Sequence, residues 1–144
     1  MAVVHAKTLE GLRTQISTRD QTWYADEPLE DGGTNTAPTP MELLRGALGS
    51  CIAITVMMYA QRKQWPLLGV EVDIDSERFN AGDYPAYQGD AQFVHEIRER
   101  VILHGPDLTD DQRARLMDVA TKCPVRRLIA NPTFFTELEP AGEG

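Results

Sequence analysis

The stretch ALGSCIAITVMMYA, residues 47–60, is apolar or small on every side. It belongs to a helix that the local signals bound sharply. Thr39 is suited to the N-cap, Pro40 to the first helical position, and Glu42 stands where a capping-box acid belongs. Gln64-Trp65-Pro66 ends the helix at about Lys63. At 1.5 Å per residue it spans roughly 36 Å. A helix without a polar face has to be covered all round. One small domain has too little else to surround it, so the sequence predicts help from a partner subunit.

The chain has 144 residues, enough for a single domain with a real core. Its net charge of −8 disfavours nucleic acid as a partner, because phosphate binding needs a basic surface. No apolar run approaches the 18 or so residues that a membrane span needs. The start, MAVVHAKTLEG, lacks the basic-then-apolar order of a signal peptide, so a cytoplasmic location is expected. Two cysteines do not make a disulfide scaffold.

Around the helix the chain reads as strands and loops. Residues 2–8, 12–17 and QTWYADE (21–27) suggest an antiparallel meander. Residues 27–39, rich in Gly, Pro, Asn and Thr, form a long loop of a kind that often serves function. GVEVDIDSER (69–78) alternates as a strand, and residues 92–104 alternate likewise up to Gly105-Pro106. Thr109 caps a helix with Leu116, Val119 and Ala120 inward, a second short helix starts at Cys123-Pro124 and runs to about Ala130, and PTFFTEL (132–138) reads as a last strand before a frayed tail, EPAGEG. This clustering of strands indicates an α+β fold. It makes one domain over 1–144, with segments 1–38, 39–64 and 69–138.

Cys51 lies in the apolar helix, about three turns from its start, and shares a face with Leu44, Ala47, Leu48, Ile54, Thr55 and Met58. That wall suits a core or a pocket for an apolar substrate. A reactive cysteine needs a nearby cation or a helix N-terminus to ionise. Cys123 has both in sequence: a helix start at Pro124, with Lys122, Arg126 and Arg127 close by. Free cysteines also serve as inert core residues, and the residues alone leave both readings open.

GGTNTAPTPMELLRGALGSC followed by KCPVRRLI resembles the OsmC/Ohr superfamily of thiol-dependent peroxidases over nearly the whole chain. The resemblance implies an OsmC-like fold in which antiparallel sheets wrap a long buried cysteine-bearing helix in an intertwined homodimer. It implies reduction of organic hydroperoxides in stress defence, with Cys51 peroxidatic and Cys123 resolving through an intrachain disulfide. A dithiol reductant, dihydrolipoamide in the Ohr branch, would reopen that bond. No cofactor or metal is implied, and His5, His95 and His104 are isolated in sequence. Family members place an arginine in a Gly-Arg-Asp context of the meander; Thr18-Arg19-Asp20 matches, making Arg19 the candidate to stabilise the thiolate. The Ohr branch holds that arginine with a glutamate ten positions before the cysteine, where this chain has Met41. Glu42, nine before Cys51, is the alternative acid, and the shift points to an OsmC-like member outside the Ohr branch.

Two other functions compete. A cysteine hydrolase needs a base, usually His, in a recognisable setting, and none is present. A non-catalytic dimeric module binding a small apolar ligand would leave both cysteines inert.

Overall fold

The computed structural model of the chain describes residues 2–139. These form two compact units, residues 2–50 with 73–100, and residues 51–72 with 101–139. Helix α1 (Pro40–Lys63) and the two long strands β4 (Gly69–Asn80) and β5 (Phe93–His104) each run through both units.

In the first unit, β1 (His5–Thr8), β2 (Thr14–Thr18) and β3 (Gln21–Ala25) form an antiparallel meander in that order. The turns are compact because Gly11 (φ 63°) and Arg19 (φ 50°) take left-handed backbone. The register lines Ala6, Ile16 and Trp23 up across the three strands. Alternation puts these apolar side chains on one face, as the period of two requires.

The loop after β3 is closed at its ends by Asp26 N–H donating to the Pro38 carbonyl at 3.0 Å. One 3-10 turn, Leu29–Asp31, ends at Gly32 in left-handed backbone (φ 88°). Gly33 sits so close to the Glu27 backbone that a Cβ would fall 1.9 Å from its carbonyl oxygen. The paired glycines are thus a steric requirement of this loop.

α1 starts at Pro40 as the sequence predicts, and a reciprocal cap holds it: Glu42 N–H donates to Thr39 Oγ1 at 3.2 Å, and Thr39 N–H to Glu42 Oε2 at 2.9 Å. Its buried stripe is Leu48, Ile52, Val56 and Ala60, spaced by four. The expectation of burial all round is not met within one chain: Met41, Leu44, Ile54 and Met58 are each 45% exposed or more. The 18-residue window of highest hydropathy in α1 averages 1.6, so the helix meets the length and composition of a membrane span, contrary to the reading of apolar runs alone. Ile52, Ile54, Val56 and the leucines raise that average, while Glu42 and Arg45 near the helix start engage polar partners, Thr39 and Ser76.

In the second unit, α2 (Asp110–Ala120) carries the predicted Thr109 cap, completed by Gln112. α3 (Pro124–Ala130) follows with Pro124 at its first turn. Ile52, Val56, Ala60, Leu67, Leu108, Leu116, Val119, Ala120 and Cys123 are buried here, the predicted inward residues of α2 among them. Each large apolar side chain contributes about 1.5–3 kcal/mol on burial.

β4 and β5 make a two-stranded antiparallel ribbon. One face is an ion-pair ladder: Arg98 meets Asp75, Glu77 and Glu96, Arg100 meets Asp73, and His104 meets Glu71. These pairs are exposed and individually weak. The expected last strand is not formed. Residues 132–139 carry neither helix nor strand; strand composition alone does not make a strand without a paired edge. The expected fraying falls, beyond Glu139, outside the described residues.

Candidate active site

The fold brings the two cysteines together. They lie 72 residues apart in sequence, as their numbers give, yet 3.7 Å apart in space, with no bond between them. Cys51 projects from α1 one position before the buried Ile52 and is half-buried. Cys123 is fully buried, at 0% exposure, and caps α3: its backbone is extended (φ −65°, ψ 145°) and its Sγ accepts from Arg126 N–H at 3.3 Å. Pro124 needs no N–H partner, so it starts α3 at no cost in hydrogen bonding. A half-accessible thiol beside a buried one is the arrangement in which the outer sulfur meets a reagent and the inner one closes on it.

The other two sequence-predicted residues belong to the first unit. Arg19 stands exposed at the tip of the β2–β3 hairpin. Glu42 holds the α1 cap through Oε2 and lines an apolar hollow of about 1060 Å³, formed by Ile16, Trp23, Pro38, Leu43 and Ala47 among others. This hollow is the lined-up face of the meander seen above, closed off by the first turns of α1.

A buried anion that sequence reasoning passed over organises the same unit. Asp26 is 2% exposed. Its Oδ2 accepts from Thr34 Oγ1 (2.5 Å) and N–H (3.1 Å) and from Thr36 Oγ1 (3.0 Å) and N–H (3.2 Å), and its Oδ1 from Glu27 N–H (2.9 Å). The Thr34 hydroxyl above all, with the Glu27 and Thr36 donors, holds this carboxyl well below the usual carboxylate range against the opposing effect of burial. Arg13 extends the network, donating from Nη1 to Thr36 Oγ1 at 3.2 Å while its guanidinium stacks 4.4 Å from the Tyr24 ring centre. The sequence signal was an acid followed, eight and ten residues on, by Thr-x-Thr in a Gly-rich loop.

A second polar group missed from sequence lies beside the thiols' helices. Tyr59, the one phenol in the apolar run of α1, accepts from Arg115 Nε at 3.0 Å. That bond, with the Arg115, Lys63 and Lys122 charges, lowers its pKa from 10.0. Trp65 packs edge-on against the same ring at 5.6 Å.

Residues 33–137 match the family model described as OsmC-like protein. The protein YhfA of Escherichia coli K12 is 33% identical over 111 residues, covering 75% of this chain and 77% of YhfA. An OsmC like protein from Mycoplasma pneumoniae superposes with a TM-score of 0.70 at 18% identity, covering 90% of this chain and 87% of the other. The organic hydroperoxide resistance protein OhrB of Bacillus subtilis gives 0.55 at 17% identity, with 88% of each chain covered. At such identities the solved structures establish the fold, which is the α+β arrangement described above.

Proposed function

Because the chain belongs to the OsmC-like protein family, we propose that it is a two-cysteine peroxidase reducing organic hydroperoxides, with Cys51 peroxidatic and Cys123 resolving. The family includes hydroperoxide resistance proteins. The observation that carries the reading is the 3.7 Å approach of the two cysteines, one half-buried and one fully buried.

The chemistry balances with these two side chains. The Cys51 thiolate attacks the distal oxygen of ROOH; the O–O bond breaks, the alkoxide takes up the proton that Cys51 gave up on ionising and leaves as ROH, and Cys51 becomes a sulfenic acid. The Cys123 thiol then attacks that sulfur, water leaves, and an intrachain disulfide results. A dithiol donor returns two electrons and two protons and leaves as its own disulfide. Arg19 takes the role of stabilising the thiolate, and Glu42 that of orienting it. Arg19 is an exposed residue at the β2–β3 turn, and Glu42 keeps Oε1 beyond the cap bond made by Oε2.

The working unit is a homodimer in the cytoplasm. Support comes from the apolar surface one chain leaves bare: Ile54 and Met58 on α1 are 58% and 54% exposed, and Phe134 and Phe135 are 85% and 97% exposed. Patches of that kind mark contact surfaces.

The test is the intact mass of the reduced protein before and after one equivalent of cumene hydroperoxide. A loss of about 2 Da is expected, for two thiol hydrogens, and Cys51→Ser is expected to abolish it together with peroxide consumption. An unchanged mass would favour the alternative, a dimeric module with an apolar ligand in the hollow lined by Trp23 and Leu43.

A further inference from the structure

The inner cysteine of the pair is also the cap of a helix. Cys123 stands at the N-cap of α3, and its Sγ accepts from Arg126 N–H at 3.3 Å. A thiol sulfur is a weak acceptor, and Ser, Thr, Asp and Asn are the side chains that usually fill this position. The neighbouring α2 shows the usual device, with Thr109 and Gln112 closing a reciprocal box. The far end of α3 is tied by oxygen acceptors: Asn131 Nδ2 donates to the Arg127 carbonyl at 2.6 Å, and Thr133 Oγ1 to the Leu128 carbonyl at 3.0 Å.

Packing holds α3 lightly. It has seven residues, and none of them is buried. Leu128 and Ile129 are 63% and 39% exposed. Isolated helices shorter than about 12 residues are marginal in water, so a helix of this kind leans on its caps. Cys123, at 0% exposure, is the buried anchor of the segment. That anchor changes when the two cysteines join. They stand 3.7 Å apart, and a disulfide brings its sulfurs to about 2.05 Å with a dihedral near 90°. The new bond draws the Cys123 sulfur toward α1 and away from the Arg126 N–H that it caps.

We propose that α3 is a redox-gated segment, capped by the Cys123 thiol in the reduced protein and loosened at its first turn when the Cys51–Cys123 disulfide forms. This rests on the two-cysteine reading above and adds a conformational readout to it. The gate has a use in the return half of the cycle. When a thiolate attacks the Cys51 sulfur, the disulfide breaks and Cys123 leaves as a thiolate, which then takes up a proton. A sulfur at 0% exposure is closed off from solvent. An opened first turn wets it, so the proton arrives from water, the thiol re-forms, and the cap closes again.

The experiment is backbone hydrogen exchange of the reduced and the oxidised protein, read by mass spectrometry in peptides covering α2 and α3. The disulfide is made with diamide, which takes up the two thiol hydrogens with their electrons and becomes the hydrazine. The gate is thereby tested whether or not a peroxide can form the bond, and failure of the mass test with cumene hydroperoxide is separated from failure here. On oxidation the α3 amides are expected to exchange about tenfold faster, as for loss of one N-cap, while those of α2 hold their rate. Cys123→Ser places a stronger acceptor at the cap and forms no disulfide, so its α3 is expected to exchange slowly before and after diamide. Cys51→Ser keeps the thiol cap and is expected to stay slow likewise; unchanged α2 exchange shows that both variants are folded. Equal α3 exchange in the reduced and oxidised native protein would overturn the proposal. So would α2 loosening as much as α3, faster α3 exchange in Cys51→Ser after diamide, or failure of diamide to join Cys51 to Cys123.

Discussion

Residues 26–38 and residues 131–139 are both irregular, and they solve opposite problems. The first segment turns inward: the Asp26 carboxylate takes five hydrogen bonds from Glu27, Thr34 and Thr36, and the Asp26 N–H closes the loop onto Pro38. The second turns outward, with Phe134 and Phe135 almost wholly bare and Leu138 80% exposed. Buried polar groups demand partners at once, so a loop built around one is complete within its own chain. Exposed aromatic side chains carry no such local demand; their favourable state needs another surface. The contrast separates what this chain settles alone from what it leaves open to another surface.

The largest expected effect breaks the outward segment. Phe134→Glu/Phe135→Glu is expected to convert a dimer at micromolar concentration into a monomer, halving the mass in sedimentation equilibrium. A dimer of unchanged stability would show that these rings serve something other than self-association, and would move the argument to Ile54 and Met58 on α1.

Next comes the inward segment. Asp26→Asn keeps the shape but replaces an acceptor with a group that donates, facing four donors from Thr34 and Thr36. The thermal midpoint at neutral pH is expected to fall, and by more than on Thr34→Val, which removes one hydroxyl donor and costs about 1 kcal/mol. The pH dependence follows from the lowered pKa. A carboxyl ionised more easily when folded than at its ordinary 3.8 stabilises the fold fully above that value. The contribution fades as pH falls below it. The gap between native protein and Asp26→Asn is therefore expected to narrow below about pH 3.8. A gap constant with pH would mean that the carboxylate charge is not what holds the loop.

The same contrast marks how far the sequence could be read. α1, its Thr39 cap, the Thr109 cap, the inward residues of α2 and the alternation of β4 and β5 were all legible, because caps and periodicity are local. The pairing of Cys51 with Cys123 depends on a contact across 72 residues and entered only through family resemblance. Asp26 was invisible because a buried acid and an exposed one look alike until Thr34 and Thr36 fold over it. PTFFTEL was misread in a telling way: it has strand composition, but no strand among the described residues is paired with it. Arg115 and Tyr59, 56 residues apart, show the same limit.

The smallest effect concerns the hinge between loop and helix, where Glu42 has two possible duties. Its Oε2 completes the α1 cap with the Thr39 N–H, and the resemblance gives it a role toward Arg19. Thr39→Ala removes half of the cap and leaves the carboxylate, so a loss of about 1 kcal/mol in stability is expected, with peroxide turnover retained. Glu42→Gln does the reverse. Glutamine serves a capping box as well as glutamate, so stability is expected to hold within about 0.5 kcal/mol, while losing the charge that would orient Arg19 lowers the rate of peroxide reduction about tenfold. If Glu42→Gln turns over peroxide at the native rate, Glu42 is a cap residue only, and the acid that the Ohr branch carries one position earlier has no counterpart in this chain.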